Sequence, residues 1–265
     1  RTWLTESALA SQLSYWQTQL DDCPMVHSLP LDYPRPAEKV HVGAQQHYQL
    51  SEQLLGQLHQ VARAHDCTLF MLVHGALSLV LSRHSYSQDI VVGTPVANRT
   101  QQELEPLIGF FVNTLVLRAN TQHENLRSYL QHIRQVSLDA QANQDVPFEQ
   151  LVEHCQVQRS SSHTPLFQIM LSMNTTSASS LSLPDVSITP LAGEGYQCKF
   201  DLELTLDETT SGLGLTWGYD TGLFNAERIV QLQGHLAELL SALARTVEQP
   251  DMPLRALEML STEER

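Results

Sequence analysis

The stretch that most constrains the fold runs from Asp89 to Arg118, DIVVGTPVANRTQQELEPLIGFFVNTLVLR. Two apolar runs bound it. Ile90-Val91-Val92 is β-branched and stops at Gly93-Thr94-Pro95, and Val112 to Leu117 is apolar except for Asn113-Thr114. Both read as buried strands. The polar loop between them carries Arg99 and two glutamates and closes at Gly109. A buried strand has few free places for polar side chains. The Asn113-Thr114 pair therefore either completes a hydrogen-bond network or faces a cavity, and the residues alone leave both readings open.

Helical periodicity accounts for much of the rest. Ser7 to Leu20 places Leu9, Leu13, Trp16 and Leu20 on one face. Asp21 to Pro36 follows with Pro24, Pro30, Pro34 and Pro36, and reads as an extended surface arm. Gln45 to Leu50 alternates weakly, as a strand would. Ser51 is placed to cap a helix striped by Leu54, Leu55, Leu58, Val61 and Ala62. Thr68 starts a second helix, through Leu81, apolar nearly all round and hence buried on most sides. His74 within it reads as a core histidine rather than a catalyst. A long helix is expected over Asn125 to Ala142, then a short one capped by Asp145 with Pro147 in its first turn. Pro165 opens a strand, Phe167 to Met173, and a Ser/Thr-rich connection covers Thr175 to Ser182. Strands are expected at Val186 to Leu191, Phe200 to Leu206 and Leu213 to Tyr219, before a closing helix from Asn225 to Thr246.

Composition removes several classes of function. The 265 residues hold 15 Lys+Arg against 29 Asp+Glu, a formal charge of −14. Nucleic acid and anionic membrane surfaces are poor partners for such a chain, because neutralising phosphate takes clustered cations. The four cysteines, Cys23, Cys67, Cys155 and Cys198, form no Cys-x-x-Cys pair, which fits free thiols in the cytoplasm and gives zinc no support. The longest nearly apolar run, Leu69 to Leu81, is short of the roughly 20 residues needed to span a bilayer. There is no Gly-x-Ser-x-Gly elbow, no His-Glu-x-x-His and no glycine-rich phosphate loop.

The Asp89–Arg118 stretch resembles a core motif of the condensation domains of nonribosomal peptide synthetases, an Ile-Gly-x-Phe-Val-Asn-Thr string after a Gly-x-Pro-x-x-x-Arg loop. The string stands here as Ile108 to Thr114 and the loop as Gly93 to Arg99. Four further segments are similar to family stretches. They are Tyr15-Trp16 followed by Leu29 to Pro36, Gln144-Asp145-Val146-Pro147-Phe148-Glu149, the Arg159-led segment before Pro165-Leu166-Phe167-Gln168, and Lys199-Phe200-Asp201-Leu202. Ser162-His163 stands where the family usually has Ser-Arg, so an arginine is replaced. The tail, Pro253 to Arg265, looks like the linker into an adenylation domain. The family's His-His-x-x-x-Asp-Gly motif is missing: of the twelve histidines, no two are adjacent and none has an Asp four positions later.

The resemblance implies an α/β chloramphenicol-acetyltransferase-like lobe, a mixed β-sheet packed with helices. Residues 1–249 would be the C-terminal lobe of a condensation domain, and 250–265 the start of the linker. The implied reaction is amide formation between an upstream acyl or peptidyl thioester and a downstream aminoacyl thioester. Both are carried on phosphopantetheine arms, with no metal or other cofactor bound directly. The implied partners are the N-terminal lobe, which brings the histidine, the two carrier proteins and the adenylation domain. This lobe would contribute no catalytic residue and be inactive alone. Asn113, Thr114 and Asn174 would be neutral donors toward the substrate tunnel, while Gly93, Asn98, Arg99 and Gly109 shape the loop beneath. Simpler local roles stand beside these, a solvated side chain or an ion pair with Glu103 for Arg99 and a tight turn for Gly109. Two other readings are a non-catalytic docking module for carrier proteins and an epimerisation domain of the same fold, the latter disfavoured by the tail.

Overall fold

Alternation along the strands sets which way the sheet of this computed structural model faces; the structure describes residues 6–99, 102–104, 106–174 and 195–265. The strands are β1 (Val42–Ser51), β2 (Asp89–Val96), β3 (Asn113–Asn120), β4 (Ile169–Asn174), β5 (Tyr196–Gln197), β6 (Leu202–Thr209) and β7 (Gly212–Asp220). On β6, Leu202, Leu204 and Leu206 are buried, and on β7 so are Leu213, Leu215 and Trp217. Glu203, Thr205 and Asp207 point the opposite way, as period-two geometry requires. Among the described residues the strands make one sheet, ordered β3-β2-β4-β6-β7-β1-β5. The β2–β4 and β4–β6 pairs are parallel and the others antiparallel.

Helices cover the apolar face. α2 (Glu52–Ala64), α3 (Leu69–Ser85), α6 (Ala226–Ala244) and the first turns of α4 (Leu126–Ala142) share one core with it. α3 is buried from Leu69 almost continuously to Leu81. Ser51, Thr68, Asn125 and Asn225 each accept a backbone N–H at the start of a helix, at 2.8–3.2 Å. Such caps are worth about 1 kcal/mol each. A second core gathers α1 (Glu6–Gln19), α5 (Phe148–His154), the far end of α4 and β3 around Trp16, Leu115, Leu117 and Phe167. No single described helix is long and apolar enough to cross a membrane.

Several boundaries differ from the sequence expectations. β2 does not stop at Gly93 but runs through Gly93, Thr94 and Pro95 to Val96. Its pairing with β4 is limited to Gly93 and Met170, so Pro95 lies where β2 has one strand neighbour, a position that tolerates proline. β3 begins at Asn113, so the Asn-Thr pair opens the strand instead of interrupting it. β4 begins at Ile169, because Pro165 to Phe167 forms a turn closed by a backbone bond from Phe167 to Pro165. Asp145 does not cap α5; its carboxylate accepts from Gln12 at 2.7 Å, and Pro147 occupies the cap position. The connection expected at Thr175 to Ser182 and the strand at Val186 to Leu191 lie outside the described residues.

The proline-rich arm is fastened by one carboxylate. Asp201, fully buried, accepts from His27 Nε2 at 3.0 Å, Arg35 Nη2 at 2.6 Å and Lys39 Nζ at 3.1 Å. Gln168 reinforces the tie, donating to the carbonyl of Met25 and accepting from the His27 N–H. Burial alone would raise the pKa of Asp201, but the bonds from His27 and Arg35 and the charge of Lys39 outweigh it and hold the group well below the usual carboxylate range. A carboxylate depressed in this way contributes stability above its unfolded value, near 3.9, and that contribution is lost as the pH falls below it. Asp201→Ala removes the shared partner of His27, Arg35 and Lys39 and leaves Lys39 only Asp220, at 3.9 Å, so it should destabilise the fold by about 3 kcal/mol in urea titration and open residues 25–40 to limited proteolysis.

Candidate functional site

Two clefts gather the residues singled out by the sequence. The first, about 310 Å³, is lined by Thr114 at the start of β3, Phe148 and Glu149 at the start of α5, Arg159 to Pro165 in part, Phe167 and Phe200. Its floor is a chain of aromatic rings, with Phe148 to Phe167 at 5.6 Å and Phe167 to Phe200 at 5.2 Å between centroids. Such contacts stabilise by about 0.5–1.5 kcal/mol each beyond their area. Across the rim, Arg159 and Glu149 make an exposed ion pair of 2.9 Å, worth about 0–1 kcal/mol. Four segments far apart in sequence converge here, because β2, β4 and β6 set their loops side by side.

The second cleft, about 800 Å³, opens at the ends of β2 and β4 and brings together Asn98, Arg99 and Asn174. Gln141 and Gln144 complete a rim of neutral carboxamides over Pro95, Val112 and Met173. Asn98 adopts φ 52°, the left-handed region that asparagine tolerates. Arg99 organises the following loop: its guanidinium lies 4.2 Å from the Phe111 ring centroid and donates to the carbonyls of Leu104 and Leu107. Asn174 donates to Asp207 Oδ1 at 2.5 Å, tying the ends of β4 and β6. Among the described residues, no histidine or cysteine lines either cleft. These surfaces can bind and orient; the one carboxylate among their described lining residues, Glu149, is paired with Arg159. Among the described residues no cluster of three or more His, Cys, Asp or Glu could hold a metal.

The remaining sequence candidates have structural work to do. Asn113 is 8% exposed. Its amide donates to the carbonyls of Gln144 and Val146, both at 2.8 Å, and its oxygen accepts from the Phe148 N–H at 3.0 Å. It thus completes a hydrogen-bond network, the first of the two readings left open by the sequence, and it ties β3 to the loop before α5. Gly93 does not lie in a loop. A β-carbon there would overlap the Phe167 ring, which lies flat on β2. Gly109 sits in the exposed loop beside Phe111 and lines neither cleft. His163, where the family usually has arginine, meets only the neighbouring Thr164 carbonyl at 3.0 Å. His74 is fully buried with neither ring nitrogen bonded, and burial lowers its pKa to about 4, so it is a neutral core residue. Sequence reasoning missed Gln141 as a cleft residue. Nothing in a helical glutamine marks it for that role before the helix end is placed beside β2.

A family model for the condensation domain matches residues 2–265, and the chain belongs to that family. Its mixed α/β architecture is the chloramphenicol-acetyltransferase-like fold expected of the family. Over 268 residues it is 38% identical to a linear gramicidin synthase protein of Brevibacillus parabrevis, covering 100% of this chain and 3% of that protein. Over 266 residues it is 40% identical to malpinin synthetase of Mortierella alpina, again covering 100% of this chain and 3% of the relative. The chain thus spans only a small part of the curated relatives it matches. Among solved structures it superposes on a four-domain nonribosomal peptide synthetase with a TM-score of 0.81 and 28% identity, over 95% of this chain and 20% of that one. The X-domain from teicoplanin biosynthesis shares the fold, with a TM-score of 0.84 and 22% identity over 98% of this chain and 59% of its own.

Two substitutions test the local geometry. Asn113→Ala leaves two carbonyls and one N–H without partners and should lower stability by about 1–3 kcal/mol, with increased hydrogen exchange at residues 144–148. Gly93→Ala drives a methyl group into the Phe167 ring and should cost about 1–3 kcal/mol, seen as a lower thermal midpoint.

Proposed function

We propose that this chain is the C-terminal lobe of a condensation domain and forms one wall of the channel in which an amide bond is made. In this reading the amine of a downstream aminoacyl thioester attacks an upstream acyl or peptidyl thioester. Both substrates arrive on phosphopantetheine arms of carrier proteins. The demands on this lobe are orientation and stabilisation of developing negative charge by neutral donors. A carboxamide-rimmed cleft at the ends of β2 and β4, holding Asn98, Gln144 and Asn174, suits that task because it offers donors without competing for the proton.

The observation that carries the reading is the convergence of four family segments on one side of the sheet, in a chain matched to the family along residues 2–265. Its share of a separately crystallised X-domain, 59%, is consistent with one lobe of two. The partners that follow are the N-terminal lobe, the upstream and downstream carriers and an adenylation domain after residues 250–265, in a cytoplasmic synthetase. The residues lining the two clefts include no histidine, so in this reading the proton-handling group comes from the N-terminal lobe.

Incubating the chain with a carrier-bound donor and acceptor, and following product by mass spectrometry, should therefore show no turnover above the uncatalysed rate. Turnover comparable to an intact two-lobe domain would overturn the reading.

A further inference from the structure

Residues 254–264 are held by a clasp that no substrate chemistry explains. Leu254 and Leu257 are buried, and Arg83, near the end of α3, donates to both their carbonyls, at 3.3 Å and 2.7 Å. Beyond them a chain of three side chains links α3, α6 and the tail. His84 Nε2 lies 2.7 Å from His235 Nδ1, and His235 Nε2 lies 3.0 Å from Glu264 Oε1. His235 is 4% exposed. The other Glu264 oxygen accepts the Ser261 N–H at 2.8 Å, so the same carboxylate closes the last turn.

Hydrogen-bond chemistry sets the protons. A carboxylate only accepts, so His235 carries its proton on Nε2 and its Nδ1 is a lone pair. His84 must then donate from Nε2. One added proton can be housed within the pair, because the shared contact still keeps one N–H facing one lone pair across 2.7 Å. A second proton would set two N–H groups against each other across 2.7 Å. We propose that the His84–His235–Glu264 chain is a proton-counting clasp, which holds residues 257–264 on the lobe while the histidine pair carries at most one extra proton and releases them when it carries two.

Charged groups bordering the clasp are Arg83 on α3, Asp32 on the arm, Glu227, Arg228 and Glu238 on α6, and Glu263 and Glu264 on the tail. Burial, then the neighbouring His235 and Arg228, lower the His84 pKa to about 4, against the pull of Glu264. Bonds from Ser261 and His235 hold Glu264 lower still, to about 2, so the carboxylate stays charged while the second proton is taken up. His84 therefore binds fewer protons folded than unfolded, and the clasp weakens as the pH falls from its unfolded value toward about 4.

Hydrogen exchange of the full chain between pH 7 and pH 4, corrected for intrinsic rates and read by mass spectrometry, separates the tail from the core. Protection of residues 257–264 should fall progressively as the pH drops from 6.5 to about 4, by tenfold or more in all, while the centre of α6 keeps its own. In His84→Gln the carboxamide can turn either its oxygen or its N–H toward His235, so no second ring proton has to be accommodated and the tail should stay protected at pH 4. Glu264→Gln, at an exposed position, should lose tail protection already at pH 7. Loss of tail and α6 protection together, or the same acid response in His84→Gln as in the unaltered chain, would overturn the proposal.

Discussion

The buried carboxylate of Asp201 is the interaction on which the most distant parts of this chain depend. It stands at the start of β6 and binds side chains that precede it by 174, 166 and 162 residues. The arm that carries them has four prolines and no regular secondary structure, so it cannot hold itself in place through backbone ladders. A charge with no access to water must be paired, and here the pairing doubles as a fastener. The cost of burying Asp201 is offset by His27, Arg35 and Lys39 together. That makes the arm and the sheet fold as one unit.

One side chain does comparable work at Asn113. Its three hydrogen bonds join β3 to the segment that begins α5, and α5 brings Phe148 against Phe167. Phe167 in turn lies on Gly93, where only a hydrogen atom fits. The aromatic cleft therefore rests on a glycine in β2, an asparagine in β3 and a turn before β4. These come from two of the segments that resemble family motifs, the Asp89–Arg118 stretch and the Arg159-led segment. Their likeness to the family is explained by mutual support as much as by contact with substrate. Asn98, Gln141, Gln144 and Asn174 lie instead around the second cleft.

The two clefts and the clasp occupy different regions of the lobe. The clefts open near the ends of β2, β3 and β4, whereas the clasp joins the last turn of α3 to α6 and the tail. Clefts and tail are thus built on separate supports. A disturbance of the tail need not pass through Asn113 or Phe167.

The sequence by itself determined the helices, the apolar strands and the family. Leu54 to Ala62, the all-apolar run after Thr68 and the alternation from Leu202 to Leu206 allow few arrangements, because burial follows a 3.6-residue or two-residue period. The motif strings identified a condensation domain for the same reason that they are local: each is a short run of specific residues. What only the tertiary structure decided is where polar side chains place their hydrogen bonds. Asn113 satisfies the loop of Gln144 and Val146, Asp145 meets Gln12 instead of capping α5, and His84 meets His235 across 151 residues. No periodicity encodes such pairings. A polar group accepts any partner of correct geometry, and the partner is known only once the helices and strands have been set against one another.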